Sequence, residues 1–292
     1  MYLLVGGDSE IGSATARLLD GQGHAVMTTT RRPGELGGRR VLLDFENLAD
    51  WQVPKGLEAA CVFVAIARLA ACDADPEGSA RINCGQTLAL ARKLAAAGVY
   101  TLFLSSNQVF DGTVAHVSAD ARLCPISTYG RQKATMETAL HHMMAQGQPI
   151  GVLRLSKVIS PGMALLSGWR QALAAGRPIR AFHDMRLAPT PVAQVAEAIT
   201  RMLADRVPVI AQLTGPADVS YADIGRLFAR RLGVGPGLVE PVSALDHGMP
   251  VGATPRHTTL DSHYLRQRHG IVVAQSEDVA LAAVFGSPQE AA

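Results

Sequence analysis

Tyr129 and Lys133 stand four residues apart in the run Tyr129-Gly130-Arg131-Gln132-Lys133. On a helix that spacing places both side chains on one face. Five tyrosines and only four lysines (Lys55, Lys93, Lys133 and Lys157) occur in 292 residues, and random placement gives about 0.07 such pairs. The pair suits proton transfer to a carbonyl oxygen. A tyrosine hydroxyl gives up its proton as hydride reaches the carbon, and a neighbouring ammonium stabilises the tyrosinate and draws its pKa toward the working pH. The same lysine can hold a cofactor ribose. Upstream, Ser106 in Leu104-Ser105-Ser106-Asn107-Gln108 lies one strand earlier, where its hydroxyl can polarise the same oxygen.

A second constellation lies at the amino end. The apolar run Tyr2-Leu3-Leu4-Val5 enters Gly6-Gly7-Asp8-Ser9-Glu10-Ile11-Gly12, and a helical pattern follows. A glycine turn at a strand end lets the backbone approach a pyrophosphate, and the next helix offers free N–H groups and a positive dipole end. Gly6, Asp8, Ser9, Ile11 and Gly12 are therefore candidate cofactor contacts. A tight turn without a ligand fits the same residues. Glu10 repels a pyrophosphate unless its carboxylate points to solvent or a nearby arginine. After the next apolar run come Arg31 and Arg32, and the first acid beyond them is Glu35. NAD-preferring Rossmann proteins place an acid at this strand end. Arginines there pair with the 2′-phosphate of NADP(H); the alternative is two solvated charges in an exposed turn.

These residues need elements to position them. Short apolar runs at 3–5, 25–29, 41–43, 61–65, 100–104 and 150–155 read as strands. Helical spacing recurs at 11–20, 83–97 and 133–144. Alternation of the two predicts a Rossmann-type α/β fold: a doubly wound parallel sheet whose strands are buried on both faces. Beyond residue 155, Gly and Pro punctuate helical patterns at 166–175, 192–203 and 221–232. The expected organisation is a dinucleotide-binding domain over 1–155 with the catalytic residues. A small substrate-binding lobe occupies most of 156–292, with one strand, 209–213, returning to the main sheet. The tail after Phe285 reads as frayed.

Composition narrows the class. Hydrophobic residues make up 48% and charged residues 18%, with a net charge of +2, so there is no basic footprint for nucleic acid and no disordered character. The cysteines Cys61, Cys72, Cys84 and Cys124 show no metal-ligand spacing and read as reduced, small buried residues. The histidines likewise lack a compact ligand face, so no metal site is expected. No signal peptide and no apolar stretch of membrane-spanning length is read, so a cytoplasmic location is expected. A small-molecule substrate is the expected partner, and a homodimer stays open.

The segment from Leu104 to Lys133 resembles the dTDP-4-dehydrorhamnose reductase branch of the extended short-chain dehydrogenase/reductases. That branch carries a Ser-Thr-Asp-Tyr-Val-Phe-Asp-Gly stretch followed by a Tyr-Gly-x-x-Lys helix. Here the stretch is Ser105-Ser106-Asn107-Gln108-Val109-Phe110-Asp111-Gly112. The resemblance implies Ser106, Tyr129 and Lys133 as catalytic residues and NADP(H) as cofactor. It implies Asp44 and Phe45 as the adenine-contacting pair, Ala65 and Ala67 along the cofactor, and Asn83 as a support of the active site. For Asn83 a helix N-cap is the competing role. Asp184 to Thr190 and Pro255 to Asp261 are similar to the branch's loops that face the sugar nucleotide. Asn107, Gln108, Lys157, Trp169, Arg186 and Arg256 are the implied substrate contacts. For Trp169 and Phe182, core packing is the favoured role over lining a pocket. Asn107-Gln108 replace Asp-Tyr, and Lys157 stands where the branch usually has an aromatic, so the substrate-reading positions differ while the hydride-transfer residues are kept.

The leading expectation is an NADPH-dependent reductase of a keto group on a nucleotide-linked deoxysugar. An epimerase or dehydratase of the same fold keeps NAD bound, which Arg31-Arg32 disfavours. A non-catalytic NADP-binding regulatory subunit is the third reading; intact Tyr129 and Lys133 weigh against it, and Glu10 leaves it room.

Overall fold

Runs of apolar residues too short for helices become strands when both faces of a sheet are covered. The computed structural model describes residues 1–32, 37–250 and 252–286; Glu35 and the tail at 287–292 lie outside the described residues. Its strands are β1 (Tyr2–Val5), β2 (Val26–Thr30), β3 (Arg40–Leu42), β4 (Ala59–Val62), β5 (Tyr100–Ser106), β6 (Ile150–Leu155), β7 (Val158–Ile159), β8 (Ile179–Phe182), β9 (Arg186–Leu187), β10 (Thr190–Pro191), β11 (Ile210–Leu213), β12 (Val219–Ser220) and β13 (Val239–Val242). The helices are α1 (Glu10–Gly21), α2 (Leu69–Ala74), α3 (Pro76–Ala80), α4 (Thr87–Ala96), α5 (Thr128–Ala145), α6 (Ala164–Ala174), α7 (Val192–Asp205), α8 (Tyr221–Leu232), α9 (His263–His269) and α10 (Ser276–Phe285).

One seven-stranded sheet runs in the order β3-β2-β1-β4-β5-β6-β11, every neighbouring pair parallel. Alternate residues of one strand feed opposite cores. Tyr2 and Leu4 pack with Leu19 of α1 and Ile199 of α7; Leu3 and Val5 pack with Leu90 and Leu94 of α4 and Met136 and Leu140 of α5. The sheet is thus doubly wound and Rossmann-type, and strand order reverses between β1 and β4. Ligands of such sheets bind beyond the carboxyl ends of the strands at that reversal. Residues 210–213 return to the main sheet beside β6, and α7 packs on α1, so the second half of the chain completes the first. The remaining strands pair as β7 with β10, β9 with β12 and β8 with β13, and pack with α6, α8 and α10 as a smaller lobe. Among the described residues no helix is long and apolar enough to cross a membrane. The four cysteines are free; Cys61 and Cys72 are buried and Cys84 half-buried, whereas Cys124, expected inside, is exposed.

Candidate active site

β1 runs straight into the glycine turn. Gly6 has φ +81°, a left-handed conformation that glycine adopts without strain, and its N–H donates to Thr29 Oγ1 of β2 at 3.0 Å. Ser9 caps α1, its hydroxyl accepting the Gly12 N–H at 3.1 Å. A Cβ on Gly12 would fall 2.8 Å from the Gly6 carbonyl oxygen and 2.9 Å from Gly7 Cα, so the close start of the helix requires glycine. α1 therefore presents its amino end, where a helix's first N–H groups have no intrahelical partner, at the carboxyl end of β1. Glu10 is exposed, as expected for a carboxylate that points to solvent, and it also accepts a hydrogen bond from Ser160 Oγ. Asp8 pairs with Arg40 of β3 at 3.0 Å. Arg31 and Arg32 follow β2 and are exposed. Asp44 accepts from the Glu46 N–H (3.0 Å) and the Asn47 amide (2.7 Å), bonds that hold its carboxyl below the usual range. Phe45 is buried in the core under β1 and β4.

β5 delivers Ser106 at its last residue. The Ser106 hydroxyl accepts the Gln108 N–H at 3.2 Å and donates to Asn107 Oδ1 at 3.3 Å. α5 begins at Thr128, five residues before the expected 133, because Ser127 caps it by accepting the Gly130 N–H at 3.0 Å. Tyr129 and Lys133 are thereby successive turns of one helix, both buried. Lys133 Nζ donates to the Leu104 carbonyl at 2.9 Å and stands 5.9 Å from the centre of the Tyr129 ring. Burial pushes the Tyr129 phenol well above its ordinary pKa, opposite to the lowering expected from the neighbouring ammonium. Burial also pushes the Lys133 ammonium down to about 8, against a smaller opposing pull from Glu137.

Asn83 is not a helix cap. It lies within a π-helical stretch, Arg81–Gln86, that precedes α4, and it is buried. Its Oδ1 accepts the Ile66 N–H (2.8 Å), and its Nδ2 donates to the Ile66 carbonyl (2.9 Å) and to Gln132 Oε1 (2.7 Å). One side chain thus pins the backbone after β4 to α5. A π-bulge re-aims side chains at a small cost, and such bulges often sit at functional sites.

A cleft of about 770 Å³ opens between the carboxyl edge of the sheet and the lobe. Ser106, Tyr129 and Lys133 line it together, with Ile11, Ala65 and Ala67 from the expected cofactor path and Asn107, Gln108, Lys157 and Arg186 from the expected substrate set. Trp169 and Arg256 are not on its wall. Trp169 packs edge-on against Tyr221 (centroids 6.0 Å apart), and it is Tyr221 that lines the cleft. Arg256 is exposed between Pro255 and His257. Arg68, Met249 and Pro250 also line the cleft and carried no motif signal in the sequence, whereas Met185 belongs to the Asp184–Thr190 segment expected to face the sugar nucleotide. Ile11 at the helix end and the small side chains of Ala65 and Ala67 line this cleft, and a helix amino end beside small residues fits a dinucleotide.

A doubly wound sheet with a glycine turn after β1, a serine at the end of β5 and a Tyr-x-x-x-Lys helix facing one cleft defines the extended short-chain dehydrogenase/reductase class. Within it the chain belongs to the RmlD substrate binding domain family, which it matches over residues 1–284. It is 26% identical over 299 residues to the probable low-salt glycan biosynthesis reductase Agl14 of Haloferax volcanii, covering 98% of each chain. Its fold is similar to that of MoeE5 in complex with UDP-glucose and NAD (TM-score 0.78, 22% identity, 97% of each chain). It is equally similar to that of the dTDP-4-dehydrorhamnose reductase of Bacillus anthracis in complex with NADP (TM-score 0.78, 15% identity, 96% of each chain).

Proposed function

We propose that this protein is an NADPH-dependent reductase of a keto group on a nucleotide-linked deoxysugar. The observation that supports it best is the convergence of Ser106, Tyr129 and Lys133 on one cleft whose walls come from the phosphate-loop side and from the lobe. Reductases among the relatives and solved structures, one with a nucleotide sugar substrate in its name, point the same way. In this reading Gly6, Ser9, Ile11 and Gly12 hold the cofactor diphosphate. Arg31 and Arg32 take the adenosine 2′-phosphate. Ala65 and Ala67 leave space beside it, and Lys133 holds its ribose.

NADPH held by these residues would supply the hydride for the carbonyl carbon. The chain's own residues handle the proton. Tyr129, protonated at neutral pH like any phenol and more firmly so for being buried, gives its hydroxyl proton to the carbonyl oxygen as a general acid. The Ser106 hydroxyl donates a hydrogen bond to the same oxygen. Lys133, cationic at pH 7, stabilises the tyrosinate left behind.

The test is a spectrophotometric screen of cofactor oxidation against nucleotide-linked keto-sugars, with free ketones beside them and NADPH compared with NADH. Turnover of a nucleotide-linked keto-sugar is expected. NADPH should bind at least about tenfold more tightly than NADH, since a charge-assisted contact is worth on the order of 1.5–3 kcal/mol. Turnover of free ketones alone, or a preference for NADH, overturns the corresponding half of the reading.

A further inference from the structure

The segment that leaves β6 runs across the carboxyl edge of the sheet. β6 ends at Leu155, and Ser160 already donates its hydroxyl hydrogen to the Glu10 carboxylate at the start of α1. β5 and β4 lie between β6 and β1, so the crossing covers three strand spacings, roughly 14 Å in all. Five residues in extended conformation reach at most about 18 Å. Five residues therefore suffice for the crossing, and Val158–Ile159 within it are in strand conformation, paired with β10. Lys157 lies within this crossing, and its carbonyl accepts the Thr190 N–H at 2.9 Å.

Lys157 lines the cleft there. Burial pushes its ammonium pKa down, and the Glu10 carboxylate pulls it back up. Glu10 occupies the first position of α1, the end at which a phosphate is met by backbone N–H groups. A carboxylate at that end repels a second anion unless a cation compensates it. Lys157 is the cleft-lining cation under the field of that carboxylate.

We propose that Lys157 is a ligand of the central diphosphate of the dinucleotide cofactor, and that Glu10, itself held by Ser160, positions the ammonium over it. This rests on the proposed reading of the cleft as a nicotinamide dinucleotide site. It moves Lys157 from the sugar-reading set, where its place in the chain put it, to the cofactor. A phosphate of the substrate offers the same chemistry. The cofactor is favoured because Ser160, three residues beyond Lys157, is bonded to Glu10 at the end of the phosphate loop.

The experiment measures NADPH affinity by cofactor fluorescence, without substrate, at low and high salt, for the parent and for Lys157→Met, Lys157→Arg, Glu10→Gln and the Glu10→Gln/Lys157→Met double variant. Binding of dTDP by each protein is measured in parallel. Lys157→Met should weaken NADPH about tenfold and flatten its salt dependence, with dTDP affinity unchanged. Lys157→Arg should stay within about threefold of the parent. Adding Glu10→Gln to Lys157→Met should recover at least about threefold, because the uncompensated carboxylate is then gone. A purely structural Lys157 would show neither the salt effect nor the recovery. Parental NADPH affinity in Lys157→Met overturns the inference, as does a loss confined to dTDP, which assigns the ammonium to the substrate. A tenfold loss without recovery overturns the role of Glu10. A parent protein that binds neither NADPH nor NADH overturns the proposed function itself, an outcome distinct from all of these.

Discussion

Tyr129 and Lys133 divide one task, and their variants should separate it. Tyr129→Phe keeps the ring and its packing but has no proton to give, so reduction should fall by roughly two to four orders of magnitude with cofactor affinity nearly unchanged. Lys133→Met removes both the charge beside the phenol and the proposed ribose contact, so rate and cofactor affinity should fall together. Ser106→Ala should lose rate more mildly, with cofactor binding intact. Steady-state rates on an accepted substrate, read beside fluorescence titrations, give the pattern; a Tyr129→Phe variant that turns over at the parental rate would leave a binding protein. The same residues set the pH response. Lys133 titrates near 8 instead of its ordinary 10.5, so its cation is lost as pH rises through about 8. kcat/KM for NADPH reports the free enzyme, and should be level below that point and decline above it. A profile flat to pH 10 would remove the lysine from the catalytic step. Stability responds in the opposite sense: the cost of holding that buried charge is present below pH 8 and is relieved between 8 and 10.5.

The elements that carry these residues meet at closer range than their side chains do. A Cβ on Gly130 would lie 2.1 Å from the Gln108 carbonyl oxygen, so the first turn of α5 abuts the turn that follows Ser106. Gln108 adds two side-chain bonds there, accepting from the Ser127 hydroxyl at 3.0 Å and donating to the Gly252 carbonyl at 3.0 Å. Gly130→Ala must therefore push the Ser106 turn away from α5. It should cost about 1–3 kcal/mol in urea unfolding, and lower kcat further than that loss explains, because Ser106 and Tyr129 part. An alanine variant with parental midpoint and parental kcat would show that the two elements move independently. Of this junction, the Tyr-x-x-x-Lys face was legible in the sequence, since it depends only on helical period. The true start of α5 was not read, although Ser127 ahead of the helical run is a capping signal. The π-helical turn around Asn83 was invisible, because a bulge leaves the apolar periodicity unchanged on either side. Strands of the main sheet were read to within a few residues from their apolar runs. The two-residue strands β7, β9, β10 and β12 show no alternation long enough to read. Trp169 and Tyr221 exchanged places for a related reason: which aromatic faces the cleft is decided by α6 packing on α8, a contact between residues far apart in the chain.

At the scale of the whole molecule, one buried arginine joins the pieces that the site requires. Arg154 lies on β6 at 2% exposure, and its guanidinium holds Glu137 of α5 through bonds of 2.7–3.1 Å. It also donates to the Ala119 carbonyl (2.8 Å) and to Gln212 Oε1 of β11 (3.1 Å), and it stacks over the Phe110 ring at 5.0 Å. The catalytic helix, the strand returning from the second half and the connection between β5 and α5 therefore share one charged node. Burying two charges is costly, and their attraction repays it only while both are present. Arg154→Met strands the Glu137 carboxylate without its cation, and should lower the unfolding free energy by about 3–5 kcal/mol. Arg154→Met/Glu137→Leu removes both charges and keeps apolar volume, so it should recover much of that loss. Urea midpoints of the parent, the two single variants and the double variant close the cycle. The catalytic readout separates stability from positioning, because Glu137 lies one turn beyond Lys133 on α5. If the node only stabilises, the double variant regains the parental kcat along with its midpoint. If it also orients the helix, kcat stays low although stability returns. A double variant no more stable than Arg154→Met would show that the guanidinium's bonds to Ala119 and Gln212, and not its pairing with Glu137, hold the two halves of the chain together.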